Sequence, residues 1–143
     1  LFFLCDTLNL PYKDKENLFR RMVFNHAAGI TDDHNKNFSF IMDDNGTWRL
    51  SPAYDVMFTA NIWENGSASV HAIGLAGKRS HVTLQDFIEF GEDYGIEKPE
   101  YIVREVYAAV SQFRERCLKY NIPEDWINRI ETTLKEIHPE TFK

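Results

Sequence analysis

A mainly α-helical domain with one small β-hairpin near its start is the fold this sequence predicts. Three observations carry that expectation. Apolar residues recur at helical spacing in several separate segments, Asn45-Gly46 stands between two short runs that carry aromatic residues, and Thr83, Pro99 and Pro123 occupy positions where helices begin.

Taken in order, Leu1 to Leu8 reads as a short apolar helix stopped near Asn9 and Pro11. A second helix is expected from Asp14 to Ala28, with Leu18, Phe19, Met22, Val23 and His26 on one face and Gly29 as its stop. A polar loop, Thr31 to Asn37, follows. Phe38–Met42 and Thr47–Leu50 then flank Asp43-Asp44-Asn45-Gly46, a strong hairpin signal, and Ser51-Pro52 breaks the second strand. An irregular region rich in Gly, Asn and Ser runs from Ala60 to Ser80. Thr83 with Asp86 three residues on predicts the N-cap of a helix from Leu84 to Tyr94 that closes at Gly95. Pro99 opens a longer helix carrying Ile102, Val103, Val106, Val110, Phe113 and Cys117. Pro123 opens the last, with Trp126, Ile127, Ile130, Leu134 and Ile137 on its apolar face. Without internal repeat or low-complexity stretch, the array reads as one domain over 1–143. Its loop lies at 31–37, its hairpin and the acidic residue after it at 38–55, and its helical remainder at 83–138.

Composition narrows the function. In 143 residues, 43% are apolar, and Phe 11, Tyr 6 and Trp 3 supply a large aromatic content, which excludes a mainly disordered chain. No stretch approaches the ~18 apolar residues of a membrane span. A net charge of −6 argues against a chain-wide grip on nucleic acid or anionic lipid, so neither direct nucleic-acid binding nor membrane association is expected. Cys5 and Cys117 form no C-x-x-C pattern, and both are expected as small buried apolar groups in a reducing cytoplasm. The run Leu1-Phe2-Phe3-Leu4 has no cationic leader before it; it reads as a helix entered part-way, and the chain as a fragment of a longer protein.

The informative stretch is Thr31-Asp32-Asp33-His34-Asn35-Lys36-Asn37, followed by the hairpin and Tyr54-Asp55. Phosphoryl transfer needs a carboxylate to take or orient the proton of an attacking hydroxyl, and oxygen ligands for magnesium that bridges nucleotide phosphates. Protein kinases put the first carboxylate and one ligand on a single loop as D-x-x-x-x-N. Asp32 and Asn37 have that offset of five, whereas Asp33 does not. The hairpin can return the chain so that Asp55 joins Asn37 as a second metal ligand. Lys36 could offset phosphate charge as a point cation. His34 could brace the loop by hydrogen bonding rather than carry a proton. The bland alternative for Asp32, Asn37 and Asp55 is loop capping, which Asp and Asn favour through local hydrogen bonds. Gly77-Lys78-Arg79 is expected as an exposed turn, and Trp48, Tyr54, Phe58 and Trp63 as core or rim packing.

Asp32-Asp33-His34-Asn35-Lys36-Asn37-Phe38-Ser39-Phe40 and Gly46-Thr47-Trp48-Arg49-Leu50-Ser51-Pro52-Ala53-Tyr54-Asp55 resemble the carboxy-terminal part of HipA-family serine/threonine kinases, whose pattern is roughly D-x-H-x-K-N-F-S, a hairpin, then L-x-P-x-Y-D. Phe24-Asn25, Gly77-Lys78-Arg79 and Phe87-Ile88-Glu89-Phe90-Gly91 also fit, and the likeness is densest from Arg21 to Asp55. The resemblance implies a helical C-lobe of a protein kinase that consumes ATP and Mg2+ and phosphorylates protein hydroxyls. It also implies a bacterial toxin of a toxin–antitoxin system, with aminoacyl-tRNA synthetases among the family's targets and a small DNA-binding antitoxin as a partner. Carried over, Asp32 matches the catalytic aspartate and Asn37 and Asp55 the metal ligands that engage the nucleotide; His34 and Lys36 match further loop residues.

A full kinase also needs a phosphate loop, a strand lysine and a sheet lobe. None of the seven glycines falls in G-x-G-x-x-G, and no strand–loop–strand region precedes Asp32, so an N-terminal kinase lobe is expected upstream or on another chain. This chain alone is therefore expected to have little or no kinase activity. Two rivals stay open. One is a phosphatidylinositol-kinase-like lipid or small-molecule kinase, which shares D-x-H-x-x-N; the other is a degenerate kinase remnant that binds a partner protein through its helices.

Overall fold

A computed structural model describes residues 1–60 and 70–139. Trp63, named above as a packing residue, lies outside them. The described residues form six α-helices, a single 3-10 turn and one two-stranded antiparallel sheet, a mainly α fold with a small hairpin. The helices are α1 (Phe2–Thr7), α2 (Tyr12–Ala27), α3 (Leu84–Asp93), α4 (Pro99–Ser111), α5 (Phe113–Lys119) and α6 (Glu124–Ile137). The strands are β1 (Phe40–Met42) and β2 (Trp48–Leu50), and the 3-10 turn covers Asn35–Asn37. No helix among the described residues is long and apolar enough to cross a membrane.

Helix α2 is the central element. Leu18, Phe19, Val23 and Ala27 on one face are fully buried against Ile102, Val103, Val106 and Val110 of α4 and Phe87 of α3. Leu134 of α6, Phe2 and Cys5 of α1, and Phe38 and Leu50 of the hairpin region complete the same core. Thr83 caps α3 with a reciprocal box: its Oγ1 accepts from the Asp86 amide at 3.2 Å and the Asp86 carboxylate accepts from the Thr83 amide at 2.8 Å. Lys78 donates to the same carboxylate at 2.6 Å, from a turn at Leu75–Lys78, and holds Asp86 down at about 2. Pro99 opens α4 at its first turn, where a missing N–H costs nothing.

The long helix expected from Pro99 through Cys117 is broken. The Ser111 hydroxyl bonds back to the Ala108 carbonyl at 2.8 Å, and the helix ladder is interrupted at Gln112. The chain restarts as α5, which joins α6 through Arg114 paired with Glu131 at 2.7 Å. Cys5 is buried as expected, but Cys117, on this redirected helix, is only partly covered.

The hairpin pairs Phe40 with Leu50, Ile41 with Arg49 and Met42 with Trp48. Its Asn-Gly signal works as a turn in which Gly46 alone takes a left-handed φ, +80°, while the Asp43 carboxylate accepts from the amides of Asn45 and Thr47. The hairpin is fastened to α2 by polar contacts. The buried Asp14 carboxylate takes Arg49 in a two-point pair at 2.7 and 2.9 Å and also the Leu50 amide at 2.9 Å. The Arg49 guanidinium beside Asp14 holds that carboxyl below its ordinary range. Arg21 donates to the Ser51 carbonyl at 2.7 Å. These bonds fix where the chain leaves β2, and so where residues 52–56 run.

Candidate active site

Helix α2 ends in a way that launches the loop. Gly29 takes φ +66°, its amide bonds the His26 carbonyl at 3.3 Å, and the Ile30 amide bonds the Asn25 carbonyl at 2.8 Å, which closes the helix. The Thr59 and Ala60 amides then donate to the Gly29 carbonyl at 3.1 and 2.8 Å, so residues 59–60 run back beside the loop. Thr59 Oγ1 accepts from the amides of Thr31 at 2.8 Å and Asp32 at 3.0 Å.

Within the loop the side chains divide. Asp32 is exposed, and His34 Nε2 lies 3.9 Å from its Oδ1. Asn37 Nδ2 donates to the Asp32 carbonyl at 2.9 Å, which closes the loop over its 3-10 turn. Lys36 is exposed and its carbonyl accepts from the Tyr54 hydroxyl at 2.6 Å; Tyr54 is thus a link between hairpin exit and loop rather than core packing. The brace expected of His34 is not there: its Nδ1 is buried without a hydrogen-bond partner among the described residues.

Asn37 and Asp55 line one pocket of about 440 Å³ between α2, α4 and residues 53–56. Arg20, Arg21, Phe24 and Glu105 form part of its wall. Burial pulls the Arg20 guanidinium down, but pairing with Glu105 at 2.5 Å and with Glu16 outweighs this and leaves it above its ordinary value. Burial lowers Arg21. Asp55 sits at a left-handed φ of +53°, a conformation Asp tolerates better than most residues and one that collects at functional sites. Asp32 is not in this wall; it reaches the pair through its carbonyl and Asn37.

The donor chemistry of the pair suits magnesium. The Asn37 nitrogen is committed to Asp32, which leaves the amide oxygen, and Asp55 adds an exposed carboxylate. Both are hard oxygen donors. Among the described residues no three His, Cys, Asp or Glu side chains gather closely enough to hold a metal, so a cation here would draw its other ligands from phosphate and water.

Three neighbours escaped the sequence reading. Asp33, set aside there for its offset, is buried; its Oδ2 meets His71 Nδ1 at 2.9 Å and its Oδ1 accepts the amides of Ala72 and Ile73 at 2.9 and 3.2 Å. Thr59 and His71 lie in segments with no periodic pattern. His71 stacks on His26 at 5.1 Å between ring centroids, and His138 packs on the same His26 at 4.9 Å. Burial above all, then the charges of His138 and His71, drives His26 down to about 3, so it is neutral near pH 7 and shares a hydrogen bond with the Tyr107 hydroxyl at 2.8 Å.

A family model described as the HipA-like C-terminal domain matches residues 2–114, which takes in α1 through α4, the loop and the hairpin. A protein of Haemophilus influenzae named "Putative kinase" is 30% identical over 129 residues, covering 80% of this chain and 37% of that protein. The chain therefore spans little more than a third of that relative's length. From the matched span, the loop and hairpin just described are those of the family's own domain, and this chain belongs to the HipA-like C-terminal domain family.

Proposed function

We propose that this chain is the catalytic-loop and metal-ligand part of an ATP-dependent serine/threonine protein kinase that moves the γ-phosphoryl group of ATP to a protein hydroxyl. The observation that carries this reading is the shared pocket wall of Asn37 and Asp55, with Asn37 bonded to the Asp32 backbone. Family membership and the name of the Haemophilus relative support it.

In this reading Asp32, exposed and open to a protein side chain, accepts the proton of the attacking hydroxyl. Asn37 Oδ1 and the Asp55 carboxylate would hold Mg2+ with the nucleotide. The bound ion would neutralise charge on the phosphate oxygens. Lys36 offers a nearby positive charge and His34 flanks Asp32. An N-terminal kinase lobe supplies the phosphate loop and strand lysine. We further read the full-length protein as a cytoplasmic toxin of a bacterial toxin–antitoxin pair, with a protein substrate such as an aminoacyl-tRNA synthetase and a small DNA-binding antitoxin as its partners.

The test is phosphoryl transfer from labelled ATP by the full-length protein. Asp32→Ala is expected to lower the rate by roughly 10²–10⁴-fold, the usual contribution of a positioned base. Asp55→Ala should weaken magnesium-dependent nucleotide binding; unchanged affinity removes Asp55 from its role. Transfer to phosphatidylinositol in place of protein would favour the lipid-kinase rival. A folded protein with affinity for neither magnesium nor nucleotide would favour the binding remnant.

A further inference from the structure

We propose that Asp33 and His71 are positioning residues that hold Asp32 in place for phosphoryl transfer, an inference that rests on the kinase reading above. The two adjacent aspartates differ sharply: the Asp32 side chain is 66% exposed, whereas Asp33 as a residue is 7% exposed. Among the described residues the Asp32 carboxylate has no close partner beyond His34 at 3.9 Å, so the backbone on either side of it sets where its carboxylate stands.

Besides Thr59 and Asn37, which bond the Asp32 amide and carbonyl, one short segment holds that backbone on both sides. Asp33 accepts from His71 Nδ1, the Ala72 amide and the Ile73 amide, three donors from residues 71–73. The Ala72 amide also donates to the Thr31 carbonyl at 2.9 Å. The segment therefore grips the chain at Thr31 and Asp33, immediately before and after Asp32. A carboxylate can only accept, so the His71 Nδ1–H is the donor in this bond.

The segment is itself held from behind. The His71 amide donates to the Arg79 carbonyl at 2.8 Å and the Arg79 guanidinium returns a bond to the His71 carbonyl at 2.7 Å. The His71 ring lies against His26 of α2, 19° from parallel. His26 bonds Tyr107 of α4. Asp33 and His71 thus tie the loop to α2 and α4; Asp33 also lines the pocket beside Asn37 and Asp55, whereas His71 stands outside it.

The inference is testable in the full-length protein by comparing kcat with the KM for ATP. Asp33→Asn keeps the size and one acceptor oxygen but loses the charge, and His71→Gln keeps a donor without the ring. Each is expected to lower kcat about tenfold or more, as small misplacements of a reacting group do, with Tm within a few degrees of the parent; His71→Gln, whose ring lies outside the pocket, should also keep the KM for ATP within about twofold. Full kcat in both variants overturns the proposal, and if Asp32→Ala is inactive in the same assay the kinase reading survives. A kcat loss that only follows a fall in Tm, and recovers at lower temperature, also overturns it, because the pair would then be structural alone. A parent protein that transfers no phosphate overturns both the kinase reading and the positioning role.

Discussion

The Asn37 side chain donates through Nδ2 to the Asp32 carbonyl at 2.9 Å, so the residue proposed to hold the metal also closes the loop that presents the proposed base. One side chain therefore has two duties that different substitutions separate. Asn37→Asp keeps a hard oxygen for magnesium but sets a carboxylate against a carbonyl, which loosens the loop. Asn37→Ala loses both. We expect Asn37→Ala to raise the magnesium concentration needed for nucleotide binding by roughly 10–100-fold. Asn37→Asp should hold magnesium binding nearer to that of the parent while losing rate. Magnesium titrations of nucleotide affinity, set beside phosphoryl-transfer rates, separate the two.

Thr59 Oγ1 receives the amides of both Thr31 and Asp32, at 2.8 and 3.0 Å. Thr59→Val has nearly the same shape and leaves both donors without that acceptor. Leaving a buried donor unsatisfied costs about 1–3 kcal/mol, and the partly exposed setting puts the expected loss near the lower end. Thr59→Ser keeps the hydroxyl and should restore most of it. Urea denaturation of the three proteins measures the difference, and equal stability of the Val and Ser variants would show that the hydroxyl contributes nothing.

What was legible in the sequence was what obeys a short-range rule. The N-cap at Thr83 needed only Asp86 three residues away, and the hairpin only Asn45-Gly46 between two strands. That Asn37 and Asp55 come to one pocket wall was legible because a loop offset and a hairpin return are both local geometry. The break at Gln112 was not, since apolar spacing continues through Phe113 and Cys117 and no Gly or Pro marks the interruption, beside which the Ser111 hydroxyl bonds the Ala108 carbonyl. Nor were the partners of the loop: Thr59 lies 28 positions from Thr31, and His71 lies 38 positions from Asp33. Pairing of that range follows tertiary packing and leaves no period to read. His26 illustrates the same limit, for it holds an apolar helix position yet sits in a histidine cluster that the sequence scatters from 26 to 138.

Gly29 combines a left-handed backbone with a crowded surface. A β-carbon there would come within 2.8 Å of the Phe58 ring and 3.1 Å of the Ala60 β-carbon. Gly46 in the hairpin shares the positive φ but has open space around it. Both Gly→Ala changes incur the left-handed cost of about 1–2 kcal/mol. Gly29→Ala must also push Phe58 away from the start of the loop, so it should be the more destabilising of the two and should also lower phosphoryl transfer. Chemical denaturation of both variants, with activity alongside, checks the order; equal losses would mean that Phe58 gives way freely.

His26 makes stability depend on pH in a defined window. Its pKa falls from an ordinary 6.5 to about 3, chiefly because burial disfavours the charged ring. Between those values the unfolded chain takes up a proton that the folded chain refuses. Stability therefore declines as pH falls from about 6.5 towards about 3, by at most roughly 1.4 kcal/mol per pH unit from this group. The depressed carboxyls add losses only further down: Asp86 is held by Lys78 at about 2, and Asp14 is held by Arg49 below its ordinary 3.8, so each contributes fully above the usual carboxylate range and loses that contribution as pH drops through its folded value. His26→Gln removes the titrating ring but retains a neutral group that can bond the Tyr107 hydroxyl. The variant should show a flatter dependence of unfolding free energy on pH between 4 and 6.5 (roughly the upper part of that window), even if its stability at pH 7 is lower. Denaturation midpoints measured across that range for the parent and His26→Gln test it; parallel pH curves would mean that His26 is not the group that takes up the proton.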